Sequence, residues 1–444
     1  MIKRTFLMIL LLGLALENAS ALDTLTVYQD SLSNGLKILV LEKHDLPIAS
    51  FQVWYRVGSR NERPGITGIS HLLEHMMFKA SGDIGSGDFA RTVQGYGGHD
   101  NAFTSEDYTA YYENIAVEFL PKMMEMEAGR MHRLKLDSLE FESERNVVLE
   151  ERRLRENSPW GRLAEESDAA AFMAHPYGWP VLGWPSDLRA LTVRDLRDYY
   201  STYYAPNNAT CVIVGDVKPR ETVKLAEKYF GGIPRARQAP PPVTTVEPAQ
   251  AGERRASVVR QAQMPLMLIA YHGCRAGEYD EAVLDLLSAV LSGGESARLY
   301  QSLIYRQKLA LYAEAYNEAR TDPGLISFYA APIAGRTIAE LEQALYAELE
   351  LVKTQGVTAE ELAKARNQLK AQYIFSRQNN YVLGNQLGSA ASRHGWRDVN
   401  NYLKYLDKVK MDDIKQAAIK YLTPENRTVA TLVPQANKGA GEVK

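Results

Sequence analysis

Cysteine is nearly missing from this chain: Cys211 and Cys274 are the only two among 444 residues. Two thiols cannot build the disulfide framework that holds small secreted domains together. Each sits in an apolar, strand-like context, Thr210–Val214 and Leu266–Cys274. Export would permit a bond between them, but two unpaired buried thiols are the simpler expectation. An excess of one charge sign is missing too, with 51 Lys and Arg against 54 Asp and Glu and a formal charge of −3. That balance gives no electrostatic reason to expect nucleic acid or a membrane surface as partner. Long apolar runs are absent apart from Phe6–Leu16, which is too short to span a bilayer. Lys3 and Arg4 precede that run, and Ala19, Ser20 and Ala21 supply a cleavage site of small residues. Residues 1–21 therefore read as a secretory signal peptide and not as a membrane anchor. The mature chain is expected to be exported, with a bacterial periplasm the best fit.

What the chain does have is apolar material, 45% of its residues, and length enough for about two to three domains. Asn34-Gly35 is a strong turn signal between the strand-like segments Thr26–Tyr28 and Leu36–Val40. Ile48–Val57 reads as another strand, Arg63-Pro64-Gly65 breaks the chain, and a helix begins near Gly68. Residues 233–256 hold Pro234, Pro240, Pro241, Pro242 and Pro248 without apolar periodicity, the composition of a linker. The segments on either side of it repeat. Asp195, Tyr203, Pro206 and Asn208 fall opposite Asp413, Tyr421, Pro424 and Asn426 at one constant spacing. In each copy a helix ends before a Pro-containing turn and an apolar strand follows. The expected organisation is a duplicated α+β unit: residues 22–232, the linker, residues 257–436, and a flexible tail over 437–444.

Chemistry enters with His71-Leu72-Leu73-Glu74-His75. On a helix, two imidazoles four residues apart stand about 40° apart around the axis, so both reach one ion. With Glu74 beside the second, this is the two-His-plus-base arrangement of a zinc hydrolase, its glutamate order inverted. Five such letters also occur by chance on amphipathic surface helices. A catalytic zinc takes three protein ligands and leaves one position open, so a third ligand must come from elsewhere. In the helix-like stretch Ser143–Arg155, the residues Glu144, Val147, Val148, Glu151 and Leu154 share one face. Glu150 falls with Ser143, Asn146, Arg153 and Asn157 on a solvated face. A carboxylate on a buried apolar face needs a partner, and a metal is one. This selects Glu151 as third ligand, with Glu144 as a carboxylate behind it. The competing reading pairs both with arginines such as Arg145, Arg152 or Arg155. At the repeat spacing, His71, Glu74 and His75 fall opposite Ala289, Ser292 and Gly293, so the second half is expected to keep the fold and lack the metal. His44, His132, His272 and His394 have no partner at ligand spacing.

The run Gly68–Phe78, together with Gly97–Thr104, Glu144–Glu151, His175–Gly178, Tyr204–Ala209, Gly215-Asp216 and Ser292–Tyr300, resembles the inverzincin metallopeptidases. That family contains pitrilysin, insulin-degrading enzyme and the mitochondrial processing peptidases, and the likeness runs from about Val27 to Val433. It implies one Zn2+ per chain on His71, His75 and Glu151, Glu74 as general base, and a supporting role for Glu144. The implied function is a zinc-dependent endopeptidase acting on oligopeptides or unstructured polypeptide segments. The implied fold is α+β, two homologous halves, each an antiparallel β-sheet covered by helices, closing like a clamshell around a zinc cavity. Similar segments in the family pair with an extended peptide substrate along Gly97–Tyr112, with Gly98, Asn101 and Ala102 as contacts; an ordinary edge strand is the plain alternative. Relatives also hold substrate with an Arg and a Tyr on a strand resembling Gly324–Ala331, which here contains no arginine. The expectation is a homologous metal-free partner subunit or a homodimer. The competing function is a noncatalytic scaffold or assembly subunit, a role that in relatives accompanies a degraded motif.

Overall fold

The computed structural model describes residues 24–435, so the expected signal peptide and tail lie outside the described residues. Two sheets organise the chain. The first contains β1 (Tyr28–Ser31), β2 (Lys37–Glu42), β3 (Ile48–Tyr55), β4 (His99–Thr104), β5 (Thr109–Ala116) and β6 (Ala209–Gly215), in the order β1-β2-β6-β3-β5-β4. The second contains β7 (Arg254–Arg260), β8 (Leu266–His272), β9 (Ala310–Glu318), β10 (Leu325–Pro332) and β11 (Arg427–Pro434), in the order β7-β11-β8-β10-β9. Without β1 the two orders are the same plan used twice.

Neither sheet is wholly antiparallel as expected: β2 runs parallel to β6, and β7 parallel to β11. The reason is topological. β2 and β3 are consecutive, oppositely directed strands, and β6 inserts between them after a long helical excursion, so it must be parallel to one of them. β11 does the same between β7 and β8.

The first half supplies α1 (Ile69–Met76), α2 (Asp88–Gly95), α3 (Leu120–His132), α4 (Ser138–Asn157), α5 (Pro159–Ala171), α6 (Pro185–Ala190), α7 (Val193–Tyr203) and α8 (Pro219–Phe230). The second supplies α9 (Tyr279–Ser292), α10 (Ile338–Gln355), α11 (Ala359–Ser376), α12 (Asn380–Arg393), α13 (Asp398–Lys408) and α14 (Met411–Tyr421). The sequence repeat is a structural one. α7 leads through the turn Pro206–Asn208 into β6, and α14 leads through Pro424–Asn426 into β11. The repeated asparagine has one job in both copies: Asn208 Nδ2 donates to the Tyr203 carbonyl at 2.9 Å, and Asn426 Nδ2 to that of Tyr421 at 2.8 Å.

Strand alternation gives the first sheet two buried faces. Phe51, Val53, Cys211 and Ile213 face one core with Leu72, Leu73 and Met76 of α1. Trp54, Val212 and Val214 face the other, which α12 covers with Leu383 and Leu387. α12 thus crosses from the second half onto the sheet of the first. It sits close, for a Cβ on Gly388 would lie 2.2 Å from the Trp54 ring. Reciprocally, Leu163 and Ala171 of α5 pack with Leu268, Ala270 and Leu432 of the second sheet. Burying each leucine of this exchange contributes about 1.5–3 kcal/mol, so the halves are locked by mutual helices as well as by the chain. Cys211 and Cys274 are both free and buried. Among the described residues no helix is long and apolar enough to cross a membrane.

Candidate active site

Why α1 presents its histidines follows from what it buries. Ile69, Leu72, Leu73 and Met76 are sealed in the core, which leaves His71 and His75 on the opposite, partly open surface with the buried Glu74 beside them. Its start is fixed from three directions. Gly68 sits at φ 86°, the left-handed region, and an added Cβ would lie 2.6 Å from the Leu182 carbonyl oxygen. Buried Glu62 accepts the Gly68 and Ser70 amides at 2.8 and 2.9 Å. Asp187 accepts the Gly65 and Thr67 amides and the Thr67 hydroxyl. Acidic side chains placed here satisfy amides that the helix itself cannot; Asp187 also complements its positive end as a carboxylate, whereas burial pushes the Glu62 pKa up to about 8.

α4 brings Glu151 across. Its Oε2 lies 3.7 Å from His71 Nε2 and 3.6 Å from His75 Nε2, and one ligand atom from each of the three lies within 4.8 Å of the others. These separations are too long for good hydrogen bonds. They are close to the edge of about 3.4 Å that a tetrahedral zinc with bonds near 2.0–2.1 Å requires. Burial, and the neighbouring His75, depress the His71 pKa to about 3, so this ring is neutral with a lone pair to offer. Glu151 has no Lys or Arg partner among the described residues. The residues present therefore fit a zinc ion.

The surrounding groups are asymmetric. His75 Nδ1 lies 3.2 Å from Glu144 Oε2, whereas the buried His71 Nδ1 has no hydrogen-bond partner. The other oxygen of Glu144 is 2.6 Å from Lys79 Nζ. Glu74 is buried, and its Oε2 accepts a hydrogen bond from the Thr104 hydroxyl of β4 at 2.5 Å. Burial raises the Glu74 pKa, with the Thr104 hydrogen bond opposing it.

The pattern that selected Glu151 differs from what is observed. Val147 and Leu154, expected on a buried face, are 41% and 72% exposed, and α4 instead buries Phe141, Val148 and Arg152. The face carrying Glu151 is split: Val148 enters the core, whereas Val147, Glu151 and Leu154 lie open beside the two histidines. The competing arginine pairing fails as well: Arg152 takes Glu165 at 2.8 Å, and Arg145 takes Glu142. Glu150 is exposed and pairs with Arg153 at 2.5 Å.

β4 is the edge of the first sheet and pairs only with β5. Asn101 lies exposed along it, with Ala102 half-buried next to it, and the Ala102 amide donates to Asn101 Oδ1 at 2.9 Å. Gly98 answers to the sheet itself, since a Cβ there would lie 2.4 Å from Ile115 Cδ1. The remaining histidines with partners are engaged elsewhere: His44 with Asp216, His175 with Asp322, His394 with Asp398, and His272 with the Ala171 carbonyl. Thr104 and Lys79 were not singled out from sequence. Lys79 follows His75 by four residues, the one local signal it carries.

The repeat has a counterpart to this site. Ala289, Ser292 and Gly293 line a cavity of about 960 Å³ that Glu106 and Tyr108 of the first half help to wall, together with Leu369, which stands opposite Glu151 at the repeat spacing. Its lining holds no residue trio able to grip an ion; among the described residues only His71, His75 and Glu151 form such a group.

A doubled α+β shell with ligands in one copy and apolar or small residues in the other is the architecture of a peptidase family whose second domain is inactive. Residues 37–183 match Insulinase (Peptidase family M16), and residues 190–369 match the Peptidase M16 inactive domain. The chain belongs to peptidase family M16. It is 31% identical to the zinc protease PqqE of Helicobacter pylori, across 91% of this chain and 92% of that protein. It is 26% identical to the mitochondrial-processing peptidase subunit beta of Lentinula edodes, across 90% and 88%. The crystal structure of a protease from Helicobacter pylori superposes with a TM-score of 0.90 at 30% identity, covering 93% of this chain and 100% of that one. The first half of the periplasmic protease PqqL from Escherichia coli shares the fold, with a TM-score of 0.77 at 18% identity over 92% of each chain.

Proposed function

We propose that this protein is a zinc-dependent endopeptidase hydrolysing oligopeptides or unstructured polypeptide segments. The observation that carries it is the ion-sized gap between His71 Nε2, His75 Nε2 and Glu151 Oε2, with Glu74 alongside. One Zn2+ per chain would be held by these three residues, supplying Lewis acidity to a peptide carbonyl and acidity to a water. Glu74 is the general base. Its Oε2 is engaged by Thr104, which leaves Oε1 to take a proton from the attacking water and return it to the leaving amine. Glu144 orients His75 and does not touch the reacting atoms.

The substrate adds as a strand along β4, past Gly98, Asn101 and Ala102, displacing the Asn101 side chain from the Ala102 amide. A strand cannot be offered by a folded surface, which restricts the substrate to extended segments. β10 retains Tyr329 but supplies no arginine, which favours a homologous metal-free partner subunit or a homodimer to complete substrate binding. The signal-peptide pattern of residues 1–21 supports export to a periplasm, and a periplasmic relative agrees with it. A noncatalytic scaffold would need neither the Thr104 hydrogen bond to Glu74 nor Glu151 beside the two histidines.

Glu74→Gln should retain one zinc per chain and lose at least about 100-fold in kcat on a quenched peptide library, within the range that general bases supply. Wild-type turnover by that variant refutes the base assignment. A metal-replete wild-type chain that cleaves nothing, with or without a co-purified companion, favours the scaffold.

A further inference from the structure

We propose that Lys79 is a positioning residue that fixes the metal-binding tautomer and plane of His75 through Glu144. This rests on the zinc reading above. Glu144 offers two oxygens, and the structure occupies each differently: Oε1 is 2.6 Å from Lys79 Nζ, and Oε2 is 3.2 Å from His75 Nδ1. Holding one oxygen fixes the plane of the carboxylate and therefore the position of the other. A carboxylate only accepts, so Nδ1 of His75 carries the proton and donates it to Oε2. The lone pair is thereby placed on Nε2, the atom that faces Glu151 at 3.6 Å. Orienting partners of this kind fix both the tautomer and the ring angle of a histidine ligand.

His71 has no such chain. Among the described residues its Nδ1 is buried without a partner, so only His75 is tied to a carboxylate that a second side chain holds. Lys79 is well placed for the task. It lies just beyond Met76, where α1 ends, and four residues after His75. Its side chain and that of Glu144 are only 23% and 13% exposed. The alternative is that Lys79 merely complements the negative end of α1, in which case its effect would be independent of Glu144.

The test is a competition titration of zinc into the metal-free full chain against a fluorescent chelator, with the zinc release rate measured in parallel. Thermal unfolding of each metal-free variant confirms its fold. Lys79→Met should weaken zinc binding about 10-fold or more, the scale on which such partners act, while Lys79→Arg stays within about 3-fold of wild type. Glu144→Gln should weaken binding similarly, and adding Lys79→Met to it should cost less than about 2-fold more. A Lys79→Met chain that binds zinc like wild type overturns the proposal alone. So does a Lys79→Met effect that persists undiminished in the Glu144→Gln background. A wild-type chain that takes up no zinc overturns the metal reading and the proposal with it.

Discussion

At the scale of single residues, the pair Thr104–Glu74 joins α1 to β4, the helix and the edge strand on which the proposed reaction depends. Among the described residues the hydroxyl is the one hydrogen-bond donor on the Glu74 carboxylate, so it sets where the free oxygen points. Thr104→Val keeps the shape and removes the donor. It should lower kcat about 10-fold or more with little change in KM, because the loss falls on a proton transfer and not on binding; an unchanged kcat would remove Thr104 from the machinery. His71, Glu74 and His75 were legible in the sequence because helical spacing alone brings them together. The helical pattern brought Glu151 forward although the face it describes is not wholly buried, since Val147 and Leu154 face open space. Periodicity reports which residues share a face, and says nothing about whether that face meets core or cleft. Thr104 and Lys79 escaped notice because generic side chains acquire meaning only from what the fold sets beside them.

At the scale of elements, α1 is a short helix whose eight residues carry both His71 and His75. Isolated helices of that length are unstable in water, so its order is borrowed from the core beneath and from the carboxylates at its start. Glu62→Ala would strand two buried amides, those of Gly68 and Ser70. An unsatisfied buried donor costs about 1–3 kcal/mol, and the variant should lose roughly 2–4 kcal/mol of stability by urea unfolding, together with some zinc affinity. Full stability would mean that the amides find other partners. The duplicated helix–turn–strand unit was legible because Asp195, Tyr203, Pro206 and Asn208 recur in order. The exchange of α5 and α12 between halves was not. An amphipathic helix announces a buried stripe, and the sequence does not say which of two sheets receives it. The parallel pairs were hidden for a similar reason, since the insertion of β6 and β11 between earlier strands is a long-range event.

At the scale of the whole molecule, a clasp of charges joins the halves beside the β4–β5 turn. Asp107, in that turn, accepts the Tyr177 hydroxyl at 2.6 Å and the Thr321 amide at 2.9 Å. Asp322, from the second half, meets Arg60 at 2.9 Å, His175 at 3.1 Å and Arg275 at 3.5 Å. Arg320 completes the set by pairing with Glu106 at 3.2 Å. The same hairpin carries Thr104, so the metal-free half has a mechanical hold on the position of Glu74. His175, Arg60 and Arg275 lower the Asp322 pKa against the opposing effect of burial. The folded value lies below the unfolded one, so ionised Asp322 contributes stability above the ordinary aspartate value of about 3.9. That contribution is lost as pH falls through the lower folded value. Asp322→Asn should therefore unfold at less urea than wild type at pH 7, and the gap should narrow as pH falls below the ordinary aspartate value towards the lower folded one. A gap that has not begun to narrow by pH 3 would assign the effect to shape and not to charge, and the clasp would then be packing without an electrostatic grip.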